Sequence, residues 1–198
     1  MTSLPKPLAL VFCGSRDGSD AAFVTQAALL GSSLAESGWG LCYGGGTVGT
    51  MGALANAVLR GGGPVIGIIP TALIPASSTL TPGTIVVDDM FCRKKEMIRR
   101  SEAIVCMPGG LGTFDELFEV LTLYQLGVHR KKIILLNTND FFAPFMALVA
   151  GIVANGFAGD DVLRYFCVCP TPKDVIRCLK EFEPALGCTT LNWGKEQL

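Results

Sequence analysis

The chain has 198 residues, enough for one domain with a sizeable core. Hydrophobic residues make up 49% and charged residues 17%, which excludes a disordered chain except at its ends. A net charge of −1 argues against a protein that grips nucleic acid or a membrane surface by bulk electrostatics, so any anion must be recognised locally.

In chain order, the apolar run Leu8 to Cys13 reads as a first strand. It lacks a basic flank and a small-residue cleavage site, so it does not read as a signal peptide. Gly14-Ser15-Arg16 follows as a turn at the strand's carboxyl end. Ser15 and Arg16 fit phosphate or ribose there, and equally an ordinary solvated turn. Asp20 to Ser37 has helical spacing and stops at Gly38. Gly40 to Tyr43 is a second strand. The stretch Gly44-Gly45-Gly46-Thr47-Val48-Gly49-Thr50-Met51-Gly52 then opens a helix from Met51 to Leu59. Pro64 to Ile69 is a third strand, and Pro70 to Gly83 a proline-bearing loop that reads as a lid or pocket wall.

Thr84 to Asp88 is a strand, and Phe91 to Ser101 a helix carrying Arg93, Lys94, Lys95, Arg99 and Arg100. Arg93, Met97 and Arg100 share one of its faces. Ala103 to Met107 is a buried strand. Next comes Pro108-Gly109-Gly110-Leu111-Gly112-Thr113-Phe114-Asp115-Glu116, with a helix expected from Phe114 to Leu126. Glycines in a strand-to-helix turn let a ligand approach the backbone, and the unpaired N–H groups of the first helical turn attract an anion. The same stretch fits a capping box, with Thr113 as N-cap and Glu116 at N3.

The lone histidine, His129, lies in a basic linker and reads as structural. Lys132 to Leu136 is a strand, Phe142 to Asn155 a helix, Tyr165 to Cys169 a last strand and Pro172 to Phe182 a last helix. Strands alternating with helices predict an α/β fold, a three-layer, doubly wound, mostly parallel, Rossmann-like sheet. One domain is expected over 1–182, with an irregular tail over 183–198. The uncharged segment Phe141 to Phe157 is too short to span a bilayer. It reads as buried between the sheet and a partner subunit, in an isologous homodimer.

The eight cysteines fall mostly in apolar runs without a C-x-x-C pair, as expected for core residues of a reducing, cytoplasmic protein. Cys167-Val168-Cys169 offers two thiolates on one strand face, but a zinc site needs more ligands, so no metal is expected.

Taken together, Pro108-Gly109-Gly110-x-Gly112-Thr113-x-x-Glu116, the upstream Arg93-Lys94 pair and Gly44-Gly45-Gly46-x-x-Gly49-x-Met51 resemble the Lonely Guy family. The likeness runs from about Leu8 to Phe157. Those proteins are phosphoribohydrolases of cytokinin nucleotides, often mislabelled lysine decarboxylases. The resemblance implies hydrolysis of a nucleoside 5′-monophosphate to free base and ribose 5-phosphate without a cofactor. Glu116 would stabilise positive charge at C1′, and Arg93 would assist the leaving base or position the ribose. Gly109, Gly110, Leu111, Gly112 and Thr113, with Gly44, Gly45, Gly46 and Gly49, would hold the phosphate and ribose. Lys94, Met97, Asp115, Thr122, Met51 and Ser15 would complete the pocket. Two positions depart from the family: Phe91 stands where a histidine is usual, and Pro75-Ala76-Ser77 replaces Pro-Arg-Glu. A non-catalytic nucleotide-binding or carrier module is the alternative on the same fold. A decarboxylase has no supporting motif.

Overall fold

The structure, a computed structural model, describes residues 6–74 and 80–181. The segment Pro75-Ala76-Ser77 and the expected tail lie outside the described residues, as does part of the expected lid.

The elements follow the strand–helix alternation of the sequence. They are β1 (Leu8–Phe12), α1 (Ala21–Glu36), β2 (Gly40–Tyr43), α2 (Gly49–Arg60), β3 (Val65–Pro70), β4 (Ile85–Val87), α3 (Met90–Arg99), β5 (Ala103–Cys106), α4 (Leu111–Gln125), β6 (Lys132–Leu136), α5 (Ala143–Ala154), β7 (Phe166–Cys169) and α6 (Pro172–Lys180). The seven strands form one sheet in the order β4-β3-β2-β1-β5-β6-β7, and every pairing is parallel. The chain winds outward from β1 to β4, returns to β5 beside β1, and winds outward again. The reversal lies between β1 and β5, paired Leu10 to Ile104 and Phe12 to Cys106. A crevice opens at such a switch point, at the carboxyl ends of the strands.

Period-2 alternation divides the core between the two sheet faces. Ala9 and Val11 of β1 pack with Leu30, Leu34, Leu54 and Val175, under α1, α2 and α6. Leu10 and Phe12 pack with Met97, Ile98, Leu117 and Phe145, under α3, α4 and α5. Parallel strands covered on both faces read as continuous apolar runs, which is why β1, β5 and β6 stand out in the sequence.

The uncharged segment around α5 is partly satisfied within the chain. Phe142 and Phe145 are buried, and their rings join those of Phe114 and Phe166 at centroid separations of 5.6–6.3 Å. Leu148 and Phe157 remain exposed on its outer side. Among the described residues no helix is long and apolar enough to cross a membrane.

Candidate active site

Four strand ends and two helix starts build the site. After β1, Gly14 to Gly18 turns over the crevice; after β5, Pro108 to Gly110 leads into α4. Between these two turns lies a cavity of about 430 Å³, whose lining includes Ser15, Arg16, Thr50, Gly109, Gly110 and Phe141. The turns are tied at depth: Thr50 Oγ1 accepts from the Gly14 N–H at 2.9 Å and donates to the Gly14 carbonyl at 3.0 Å. Thr113 Oγ1 donates to the Cys13 carbonyl at 3.2 Å. Thr50 takes up the Gly14 N–H, whereas Thr113 ties the turn before α4 through a carbonyl and spends no glycine N–H there.

That hydrogen bond overturns the capping-box reading. Helix α4 begins at Leu111, with Gly110 as its N-cap and no side-chain cap. Thr113 therefore sits inside the first turn and Glu116 one turn deeper. Among the described residues the N–H groups of Leu111 and Gly112 have no acceptor, so they are open to an anion at the positive end of the helix. A Cβ at Gly110 or Gly112 would meet nothing within 4 Å, so that side of the turn is open.

Glu116 is 5% exposed and Arg93 6%. Arg93 Nη1 donates to Glu116 Oε1 at 3.1 Å, joining α3 to α4. Arg93 Nε donates to the Ile68 carbonyl of β3 at 3.0 Å, and Nη2 to the Gly44 carbonyl after β2 at 3.3 Å. Three acceptors from three elements thus hold one guanidinium. Burial pushes the Glu116 carboxyl up to about 7, against the opposing pull of Arg93. A carboxyl poised near neutral pH can serve as acid or base.

Two glycines of the loop after β2 are demanded by close approach. A Cβ on Gly44 would collide with Arg93 Nη2. Gly49 has φ +65°, and a Cβ there would strike the Ser15 and Arg16 backbone. The first turn of α2 is less open than that of α4, because the N–H groups of Thr50 and Met51 donate to the carbonyls of Arg16 and Gly14. This loop therefore shapes the Arg93 pocket and anchors the 14–16 turn, and these two donors are not free for phosphate.

The remaining expected residues divide. Lys94 Nζ bridges Asp115 at 3.2 Å and Glu119 at 2.7 Å, so Lys94 and Asp115 are together beside the pair. Met51 packs beneath Gly46. Leu111 is 91% and Phe91 79% exposed. Met97 does not line a pocket: it is buried in the core, because position i+4 from Arg93 turns it under the sheet. Thr122 is exposed on α4 and its hydroxyl donates back to the Phe118 carbonyl, so it faces solvent outside the cavity. Arg93 and Glu116 do not line the cavity themselves; Glu116 stands on α4 beyond its glycine start, paired there with Arg93.

Thr50, Phe23 and Phe141 line the cavity without having been singled out as site residues in the sequence. Phe141 belongs to a segment that looks like plain core or interface. Only the fold brings it to the crevice beside the turns after β1 and β5. Cys178 of α6 was also missed: its sulfur lies 3.6 Å from that of Cys169 and 4.0 Å from that of Cys167.

Residues 51–179 match the family described as "Possible lysine decarboxylase". The chain is 42% identical to the cytokinin riboside 5′-monophosphate phosphoribohydrolase LOG of Oryza sativa subsp. japonica, over 88% of this chain and 73% of that one. It is 41% identical to LOG7 of Arabidopsis thaliana, which bears the same enzyme name, over 88% of this chain and 81% of that one. The chain belongs to the Lonely Guy family. Among solved structures, the molybdenum cofactor carrier protein from Chlamydomonas reinhardtii is 20% identical, with a TM-score of 0.65 over 89% of this chain and 97% of that one. The molybdenum cofactor binding protein from Rippkaea orientalis is 24% identical, with a TM-score of 0.66 over 90% and 98%. At these identities the likeness concerns the fold alone. Within the Lonely Guy pattern, the spacing from Gly109 to Glu116 corresponds here to one physical unit: an open helix terminus followed by a buried acid one turn later.

Proposed function

We propose that this chain is a phosphoribohydrolase. It cleaves the N-glycosidic bond of a nucleoside 5′-monophosphate, of the adenine or cytokinin riboside type, to free base and ribose 5-phosphate. The observation that carries the reading is the buried Arg93–Glu116 pair directly behind an anion-ready glycine turn. The names of relatives at about 40% identity support it.

In this reading the open N–H groups of Leu111 and Gly112 receive the 5′-phosphate beside the cavity, with Ser15 in reach. As the C1′–N bond lengthens, positive charge develops on the ribose, and the Glu116 carboxylate offsets it. Water forms the new C1′–O bond. Its proton passes to Glu116, and the departing base takes up a proton in turn. Arg93, pinned by Ile68 and Gly44, holds Glu116 in one orientation and keeps its charged form accessible despite burial. Lys94 and Asp115 add a second acid–cation contact at the rim. A carrier has no need of a buried acid–cation pair behind its phosphate turn, which weighs against that alternative.

The chain works without a metal in this scheme. The seven described cysteines are all free thiols, which supports a reducing, cytoplasmic setting. Incubation with a panel of nucleoside 5′-monophosphates, scored for free base and ribose 5-phosphate, tests the proposal. Release from the nucleotide and not from the matching nucleoside is expected. Equal rates on both would overturn it, since the helix terminus would then recognise nothing.

A further inference from the structure

Strand β7 is a sheet edge, two strands away from β5 and its glycine turn. Cys167 and Cys169 alternate onto the same face of it, the face covered by α6. Cys178, in the last turn of α6, points back at them. The Cys169 and Cys178 sulfurs are 3.6 Å apart, the Cys167 and Cys178 sulfurs 4.0 Å, and all three lie within 4.8 Å of one another. Cys169 is buried, while Cys167 and Cys178 are half-buried, so the cluster is reachable from solvent.

Three sulfurs each about 2.3 Å from one ion would stand about 4.0 Å apart around a trigonal centre. Two of the separations, 3.6 and 4.0 Å, already lie near that spacing, and the third is within 4.8 Å. No fourth cysteine, histidine or carboxylate joins the group among the described residues, and a structural zinc ion takes four protein ligands. Three thiolates in a low-coordinate arrangement suit a soft monovalent ion. We propose that Cys167, Cys169 and Cys178 form a binding site for Cu(I). Binding replaces three S–H bonds by three Cu–S bonds and releases three protons, leaving a complex of net charge −2. The Lys132 ammonium, whose Nζ donates to the Cys178 carbonyl at 3.0 Å, lies beside it and offsets part of that charge; Asp174 is the acidic group on the opposite flank. The site shares no residue with the Arg93–Glu116 centre.

The test uses the full, reduced chain titrated with Cu(I) in the presence of a chromophoric Cu(I) chelator. One Cu(I) per chain should be withheld from the chelator. Cys178→Ser and Cys167→Ser should each weaken that binding at least about tenfold, since each removes one of three soft ligands. Cys92→Ser, which alters an exposed thiol elsewhere, should leave it unchanged. X-ray absorption of the loaded wild-type chain should show three sulfur neighbours, a readout that stands even if a variant fails to fold. Failure to compete with the chelator, wild-type affinity in both cluster variants, or a two-sulfur copper environment would overturn the proposal.

Discussion

Arg93 receives no freedom from its surroundings. The carbonyls of Ile68 and Gly44 and the carboxylate of Glu116 each take one direction of its planar fork, which a lysine could not satisfy. Removing the side chain at Gly44 is what makes room for it. Gly44→Ala would drive its Cβ into Arg93 Nη2, so the guanidinium must move. A displacement of that order typically costs about 10²-fold in rate. Turnover in Gly44→Ala should fall by about that factor while the melting temperature changes by only a few degrees; unchanged turnover would show that the position of Arg93 is immaterial. Glu116 leads to a pH prediction. With its carboxyl pushed up to about 7 by burial, the carboxylate form, which the proposed mechanism needs, is lost as the pH falls through that value. The kcat/KM of the wild-type chain should therefore drop about fivefold between pH 7 and pH 6, and about tenfold more for the next unit. A profile flat down to pH 5 would place the working group elsewhere.

At the level of elements, the type of each helix and strand was readable from apolar periodicity, as were the ends of β2 and β6, whereas the start of α4 was not. The expected start of α4 at Thr113 rested on a valid cap pattern, but Thr113 spends its hydroxyl on Cys13, 100 residues away. Local pattern cannot foresee a partner from another strand. Met97 and Thr122 show a related limit: the resemblance implied that both line the pocket, whereas packing against the sheet buried Met97 in the core and left Thr122 in solvent. His129 was read as structural, and its contacts agree with that. Its Nδ1 accepts from the Lys131 N–H at 3.2 Å, so Nε2 carries the proton that meets the Val120 carbonyl at 2.9 Å, joining α4 to the start of β6. Burial lowers its value to about 4, whereas in the unfolded chain it titrates near the usual 6.5. Between those values the unfolded chain binds the extra proton, so this group's contribution to stability is full above about 6.5 and is lost as the pH falls towards 4. His129→Gln removes that titration. The melting temperature of the wild type should fall more steeply than that of the variant between pH 6.5 and pH 4.5, and parallel slopes would contradict the assignment.

For the whole molecule, the doubly wound topology followed from strand–helix alternation, and the glycine turn after β5 marked one side of its switch point. The cavity between that turn and the one after β1 was legible in part. Ser15 and Gly109 could be placed there because they follow strands, whereas Phe23 and Phe141 arrive from helices and loops whose sequences look like core. The third thiol of the β7–α6 cluster was invisible for the same reason. Exposed apolar side chains remain on the outer surface, including Phe91, Phe118, Leu126 and Leu148. Such surface in one chain is what an isologous partner would cover. The expected outcome of light scattering at micromolar concentration is a dimer; a species of 20.9 kDa alone would reject it.

The central claim is that Glu116 is the carboxylate facing C1′, and Glu116→Gln tests it most directly. Because the carboxyl sits at about 7, a neutral isostere replaces a group already half protonated at neutral pH, and Gln keeps an oxygen for Arg93 Nη1. The variant should fold with a melting temperature near that of the wild type and still bind nucleoside 5′-monophosphate through the first turn of α4. Its turnover to free base should fall by about 10²–10³, the usual cost of losing one such electrostatic contact. Near-normal turnover in a folded, nucleotide-binding Glu116→Gln chain would contradict the account and move the search for the carboxylate to Asp115.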